Sequence, residues 1–385
     1  MKRIGNWMGL LIGVLAAMPG PRAGEFREAG DGIASREDRV PSEPWIIEVV
    51  RVERGHPGLS LLPTLGQGDH IGLGTLTEQL AVVPRDAGVP LVAINGDFFE
   101  TEDQSYPGDP RGLFITRGEL VSTPSSRDCF WMDREGNPRI GIVKSELQLI
   151  WPDGGTTLVG LNEDPDGLAG VLLTRAAGSA LSSRKGIRVA LERSGNGPWM
   201  PLRVGETYTA RFSGSPGISA DSLVLVGTAA LRTRIQELKA GGTVRIAART
   251  QPDLSGTMTA IGGGPALVRM GKALSMHAPK SDERHPRSAV GWNSKYFFFV
   301  VVDGRQDDSD GMTLPELASY LVRLGCEEAM NLDGGGSTEL WLRGRILNHP
   351  CYGRERRTAT GLVVVRAASP PRANGSATNG VKPAP

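Results

Sequence analysis

Three aspartates stand where apolar runs give way to glycine-containing turns. Asp97 lies in Asn95-Gly96-Asp97-Phe98-Phe99 after the run Leu91 to Ile94, Asp303 closes the run Tyr296 to Val302, and Asp333 opens Asp333-Gly334-Gly335-Gly336-Ser337 after Asn331 and Leu332. A carboxylate at such a turn can activate water or attack an electrophilic carbon. The three consecutive glycines leave main-chain N–H groups uncovered, able to grip a phosphate or a sugar hydroxyl. The alternative is an ordinary Gly-rich turn. Without a following Gly-Lys-Ser/Thr the run is not a P-loop, and Ser337 lies outside any GxSxG elbow. Arg305, in Asp303-Gly304-Arg305, carries a planar fork suited to a phosphate, and Arg287 in His285-Pro286-Arg287-Ser288 offers a second. Gly262-Gly263-Gly264-Pro265 adds another tight turn. His285 reads as a surface-loop histidine, with a proton shuttle as the alternative. The acid run Asp307, Asp308 and Asp310 invites a calcium reading, but the register fails: with Gly311 as the loop glycine, the first ligand falls on Gln306 and the closing Glu on Leu317. A solvated loop is the simpler reading, with metal binding as its alternative.

Positioning these residues requires strands that stop at the right place. Short apolar runs, among them Trp45 to Val52, Leu91 to Ile94, Leu223 to Val226, Thr243 to Ala247, Tyr296 to Val302 and Gly361 to Val365, have the length and Val/Ile/Phe content of strands. A helix is predicted from Thr313 to Leu324: Thr313 and Glu316 form a capping box, four leucines make one stripe, and Gly325 stops it. It separates two strands, a βαβ-like unit of the size a parallel crossover needs. Both strands then end on one edge of the sheet, which predicts Asp303 and Asp333 side by side. The expected fold is α+β, a strand-rich mixed sheet with few helices in which that unit carries the site loops.

The 385 residues suffice for one large domain or two modest ones, and a formal charge of +1 provides no global field for nucleic acid or anionic membrane. Residues 1–23 begin with Lys2 and Arg3 and continue through an apolar stretch too short to span a bilayer. They read as a signal peptide, so the protein is expected to be exported, periplasmic or extracellular, with no stable membrane span. Residues 24–44 read as a flexible lead-in, 45–366 as the functional domain, and 367–385 as a disordered tail rich in Pro, Ser, Asn and Gly. Cys326 and Cys351 could pair or remain free thiols, and Cys129 leaves the count odd.

In order and spacing, AINGDFF (Ala93 to Phe99), AIGGGPALVRMGK (Ala260 to Lys272), HPRSAVG (His285 to Gly291), the stretch Val301 to Leu340 and LNHPCYGRERRTATGLVVV (Leu347 to Val365) resemble the phosphodiester glycosidase family. The resemblance implies hydrolysis at the anomeric carbon of a sugar, N-acetylglucosamine-like, held through a phosphodiester in an envelope or extracellular glycan. It implies a pocket lined by Asn95, Arg287, Asp303, Arg305, Asn331, Asp333 and Gly334 to Gly336, with Gly263, Gly264 and Ser337 beside them. Asp97 stands where the family pattern has a second glycine. Asp303, Asp333 and Asp97 are then the candidate bases or nucleophiles. The arginines and glycine N–H groups would neutralise the phosphate, and the scheme needs no metal or cofactor. A non-catalytic sugar-phosphate-binding protein and a metal-dependent phosphodiesterase are the rival readings.

Overall fold

The run Tyr296–Val302 is apolar at every position because both faces of its strand are buried. Phe297, Phe299 and Val301 enter one core and Phe298, Val300 and Val302 another, as the period of two dictates. The computed structural model of the chain describes residues 24–40, 42–165, 167–178, 186–213, 223–238, 241–276 and 281–367. The expected signal segment and all of the expected tail beyond residue 367 lie outside them. Among the described residues, no helix is long and apolar enough to cross a membrane.

The strand Tyr296–Val302 belongs to an eight-stranded sheet in the order Arg27–Gly30, Ile33–Val40, Trp45–Glu53, Tyr296–Val302, Arg287–Trp292, Glu328–Asn331, Ala266–Arg269, Lys272–Ala273. Tyr296–Val302 and Glu328–Asn331 each pair antiparallel with Arg287–Trp292, so they run parallel to one another, as the crossover reading requires. The connecting helix is Leu314–Leu324, with both halves of the Thr313/Glu316 capping box formed and Gly325 in the left-handed region. Its Leu314, Leu317, Ala318 and Leu321 cover one face of the sheet.

The opposite face packs on a five-stranded sheet built around Val89–Asn95, which pairs with Leu340–Leu342 and Thr360–Arg366. A second five-stranded sheet contains Thr259–Gly262 and Asp128–Met132, and a second eight-stranded sheet carries the residues between Lys144 and Gln251. That last sheet is mixed, since Gly160–Leu161 and Gly170–Leu173 pair in parallel. Only three α-helices occur among the described residues. The architecture is the expected strand-rich α+β class.

Two expectations are corrected. The first part of the proposed flexible lead-in forms strands Arg27–Gly30 and Ile33–Val40, the latter paired along its whole length with Trp45–Glu53. The charged residues that suggested flexibility lie at the edge of the sheet, where one side of each strand meets water. The second correction concerns Asp303 and Asp333. The Arg287–Trp292 strand lies between their strands, a separation of roughly 9 to 10 Å between strand axes.

Candidate functional site

The carboxyl end of Val89–Asn95 meets the carboxyl end of Glu328–Asn331, and a buried asparagine ties them. Asn95 Nδ2 donates to the Asp333 carbonyl at 2.6 Å, while its Oδ1 accepts from Ser288 Oγ at 2.6 Å and from the Glu339 N–H at 3.1 Å. The Asp333 N–H in turn donates to the Gly96 carbonyl at 3.0 Å. Asn95 is fully buried, so it fixes the two turns against each other from behind and does not face the pocket.

This junction presents Asp97 and Asp333 to each other. Asp97 is buried; Oδ1 accepts the Phe98 N–H at 2.7 Å and Oδ2 has no hydrogen-bond partner. Burial pushes its carboxyl up to about 7, the charge of Asp333 adds to the rise, and Arg127 and the Phe98 N–H oppose it. Gly112 and Gly262 both press on the carboxyl group; a Cβ on Gly112 would come within 2.7 Å of Oδ2, and one on Gly262 would collide with it. Asp333 is partly exposed, with Oδ1 accepting the Gly334 N–H at 2.9 Å. Burial raises its carboxyl to about 6, against the Ser337 hydroxyl, the Arg356 charge and the Gly334 N–H, which lower it.

Two cations that sequence reasoning did not single out act on Asp333. Arg127 stacks its guanidinium over Phe98 at 4.0 Å and influences both Asp97 and Asp333. Arg356 donates through Nη1 to Ser337 Oγ at 3.1 Å, lies over the Phe99 ring at 5.3 Å, and places its N–H on Glu339 Oε1 at 2.9 Å. Ser337 is thus a buried bridge between Asp333 and Arg356. Glu339 is also buried, its carboxyl raised by burial to about 8, with Oε2 unpartnered. Arg127 follows a featureless Pro-Ser-Ser loop and gave no signal. Arg356 and Glu339 lie inside the quoted motifs, but nothing in the sequence separated Arg356 from Arg354 and Arg357.

The expected arginines divide. Arg305 is exposed, at a positive φ of 60°, and its Nη2 lies 3.3 Å from His285 Nδ1. Arg287 is buried and spends Nε on the Met312 carbonyl at 2.8 Å and Nη2 on the Glu283 carbonyl at 2.7 Å; burial lowers it to about 10. Its fork is therefore committed to the main chain.

Asp303 is also committed. Its side chain is 1% exposed: Oδ1 accepts Asn348 Nδ2 at 3.2 Å and the His349 N–H at 3.1 Å, and His349 Nδ1 lies 3.3 Å from Oδ2. Burial raises its carboxyl, with the Asn348 and His349 donors opposing. Asp303 is one of the charges that raise Glu48, while Asp333 is the carboxylate acting on Asp97. The glycine loop is less open than expected, since the Gly334 N–H goes to Asp333 and the Gly335 N–H to the Pro286 carbonyl at 2.9 Å. Asn331 is buried, its Nδ2 on the Gly264 carbonyl at 3.0 Å and its Oδ1 unpartnered; Gly263 and Gly264 run against it as close-packed backbone.

Of the expected site residues, Asp333, Gly334, Gly335 and Arg305 reach the surface together. Asp307, Asp308 and Asp310 are exposed, and no cluster of three or more metal-ligating side chains occurs among the described residues. Cys129, Cys326 and Cys351 are free thiols. A cavity of about 770 Å³ lined by Val52, Arg54, Phe297 and Val365 opens at the far end of these strands, away from the carboxylates.

Residues 206–365 match the family model described as phosphodiester glycosidase. A stretch of 82 residues is 35% identical to the SPbeta prophage-derived uncharacterized protein YomE of Bacillus subtilis (strain 168), covering 21% of this chain and 13% of that protein. The fold is similar to that of a hypothetical protein from Synechocystis (TM-score 0.68, 21% identity), over 91% of this chain and 65% of that one. It is similar also to a protein from Burkholderia pseudomallei K96243 described as exported (TM-score 0.60, 21% identity), over 86% and 74%. The catalytic domain of zebrafish N-acetylglucosamine-1-phosphodiester alpha-N-acetylglucosaminidase aligns with a TM-score of 0.45 at 17% identity, over 89% and 87%. The YomE match and the Synechocystis alignment each leave more than a third of the other protein uncovered.

Proposed function

We propose, from the phosphodiester glycosidase match over residues 206–365, that the chain is an exported hydrolase releasing a sugar from a glycosyl 1-phosphodiester by attack at the anomeric carbon. The observation that supports this most directly is Asp333, a partly exposed residue whose carboxyl is raised by burial and on which Arg127 and Arg356 both act. Asp333 is the group that activates water or attacks carbon. A phosphate leaving group departs with little protonation, so cations suffice to receive its charge, and in this reading Arg127 and Arg305 take that role. Asp97 acts through Asp333, since its own oxygens are buried. Asp303 and Arg287 hold the neighbouring loops. The sugar is N-acetylglucosamine-like by the sequence resemblance.

The test is turnover of an N-acetylglucosamine 1-(methyl phosphate) diester in oxygen-18 water with EDTA present, followed by mass spectrometry of both products. Label in the freed sugar is expected, and Asp333→Asn should lower kcat by a factor on the order of a thousand or more with an unchanged melting temperature. Label in the phosphate would replace this reading with cleavage of the P–O bond. No turnover of any such diester would leave a binding protein.

A further inference from the structure

Tyr352 is the one aromatic among the large hydrophobic side chains exposed in the described residues, at 63%. Its position explains what it rests on. The ring lies against Gly336, where any Cβ would collide with it. On the preceding residue, Gly335, the Arg305 guanidinium takes the equivalent place, its Nη2 3.2 Å from where a Cβ would stand. Adjacent Cα atoms are about 3.8 Å apart. An aromatic ring and a cationic fork therefore rest on successive glycines of the loop that starts at Asp333.

The two loops carrying these groups are tied to each other and to the sheet. Gln306 Nε2, next to Arg305, donates to the His349 carbonyl at 2.7 Å. Asp303 accepts from both Asn348 and His349, four and three residues before Tyr352. The Gly353 N–H closes the turn on the Pro350 carbonyl at 2.8 Å. The turn that carries the ring is tied by these polar contacts, the Asn348–Asp303 one buried, which lowers the ordering cost of binding to it.

We infer that Tyr352 and Arg305 form a binding edge for a pyranosyl 1-phosphodiester, the sugar's apolar face on the ring and the phosphate on the guanidinium. A pyranose presents a face of C–H groups, and a tyrosine ring offers a matching apolar surface of low conformational entropy. The phosphate is joined to the anomeric carbon through one oxygen, so a ligand spanning ring and fork brings that carbon to the stretch of loop that begins with Asp333. A side chain at Gly336 would push the Tyr352 ring away, and one at Gly335 would crowd the Arg305 guanidinium. This assignment rests on the hydrolase reading for its substrate class, but its binding component is measurable without turnover.

Steady-state kinetics on the N-acetylglucosamine 1-(methyl phosphate) diester should show KM raised roughly tenfold or more in Tyr352→Ala, equivalent to about 1.4 kcal/mol, with kcat much less affected. Tyr352→Phe should restore most of the loss. Gly336→Ala should resemble Tyr352→Ala, and melting temperatures identify any variant that fails to fold. Saturation-transfer NMR with the same diester on Asp333→Asn, and on Asp333→Asn combined with Tyr352→Ala, reads binding alone; signal in the first and its loss in the second are expected. Turnover by the unaltered chain with an unchanged KM in Tyr352→Ala would overturn the binding edge and leave the hydrolase reading intact. Tyr352-dependent binding without turnover would uphold the edge while removing the hydrolase reading. No transfer to the Asp333→Asn variant would overturn the edge.

Discussion

Asp97 stands where the sequence resemblance leads one to expect a second glycine, and its surroundings define its effect. Its carboxyl sits in a slot whose walls are the backbones of Gly112 and Gly262, with one oxygen unpartnered. A charge there is poorly solvated, and Asp333 beside it makes ionisation harder still, hence the rise to about 7. Asp333, raised to about 6, loses its proton first. Between these values the pair carries one negative charge, which suits attack on an anionic substrate; above about 7 it carries two, and the phosphodiester is repelled. The kcat/KM profile should rise near pH 6 and fall near pH 7. In Asp97→Gly the falling limb should vanish while the rising limb stays. A falling limb that survives that substitution would assign it to another group. This pairing was only partly legible: Asp97 and Asp333 were both visible beside glycine, but the approach of their two turns depends on Asn95 bridging 238 residues of sequence. Arg127 left no trace because its position is set by stacking on Phe98, a contact that no local pattern encodes.

At the scale of elements, the helix Leu314–Leu324 and the strand Tyr296–Val302 were readable because each satisfies its own local requirements. The helix has a cap at one end, a left-handed glycine at the other and a leucine stripe between them. The two initial strands were not readable, since a charged strand such as Ile33–Val40, next to the sheet edge, owes its conformation to its partner Trp45–Glu53 and not to its own composition. The crossover was legible in direction but not in spacing, because the intervening strand Arg287–Trp292 precedes both in sequence. That insertion leaves Asp303 to anchor the turn at Asn348 and His349. Asp303→Asn would turn an amide N–H toward the His349 N–H or leave it unpaired, at a cost of about 1 to 3 kcal/mol. A melting temperature lowered by several degrees is expected, with KM rising as the Tyr352 turn loosens. Asp333→Asn should give the opposite pair of results, unchanged stability and lost kcat. Near-wild-type stability with lost kcat in Asp303→Asn would return Asp303 to the reaction itself.

Across the whole molecule, two buried glutamates couple stability to pH. Glu48, 8% exposed, lies opposite Glu37 on the neighbouring strand, and burial raises its carboxyl to about 8, with the charges of Glu37 and Asp303 adding to the rise. Glu339, fully buried behind the carboxylate pair, is also raised to about 8 by burial. In the unfolded chain both ionise at ordinary glutamate values, so above those values folding takes up protons. Groups raised in this way contribute stability that is fully present below the unfolded pKa and is lost as pH rises through the folded one. The window therefore runs from about 4.5 to about 8. Within it each glutamate lowers stability by about 1.4 kcal/mol per pH unit. Asp69 and Asp133, whose pKa values are lowered, titrate below this window and do not offset the trend. Thermal unfolding in buffers from pH 5.5 to 8 should show a melting temperature that falls steadily. Asp97 and Asp333, raised to about 7 and about 6, add to the fall in the lower part of that range, so Glu48→Gln, which keeps the shape without the titration, should remove roughly a third of the total loss and unfold at a higher temperature than the unaltered chain at pH 8. A melting temperature that stays level over the range would mean that both carboxyls are already ionised in the folded protein, with their charges compensated by the surrounding residues.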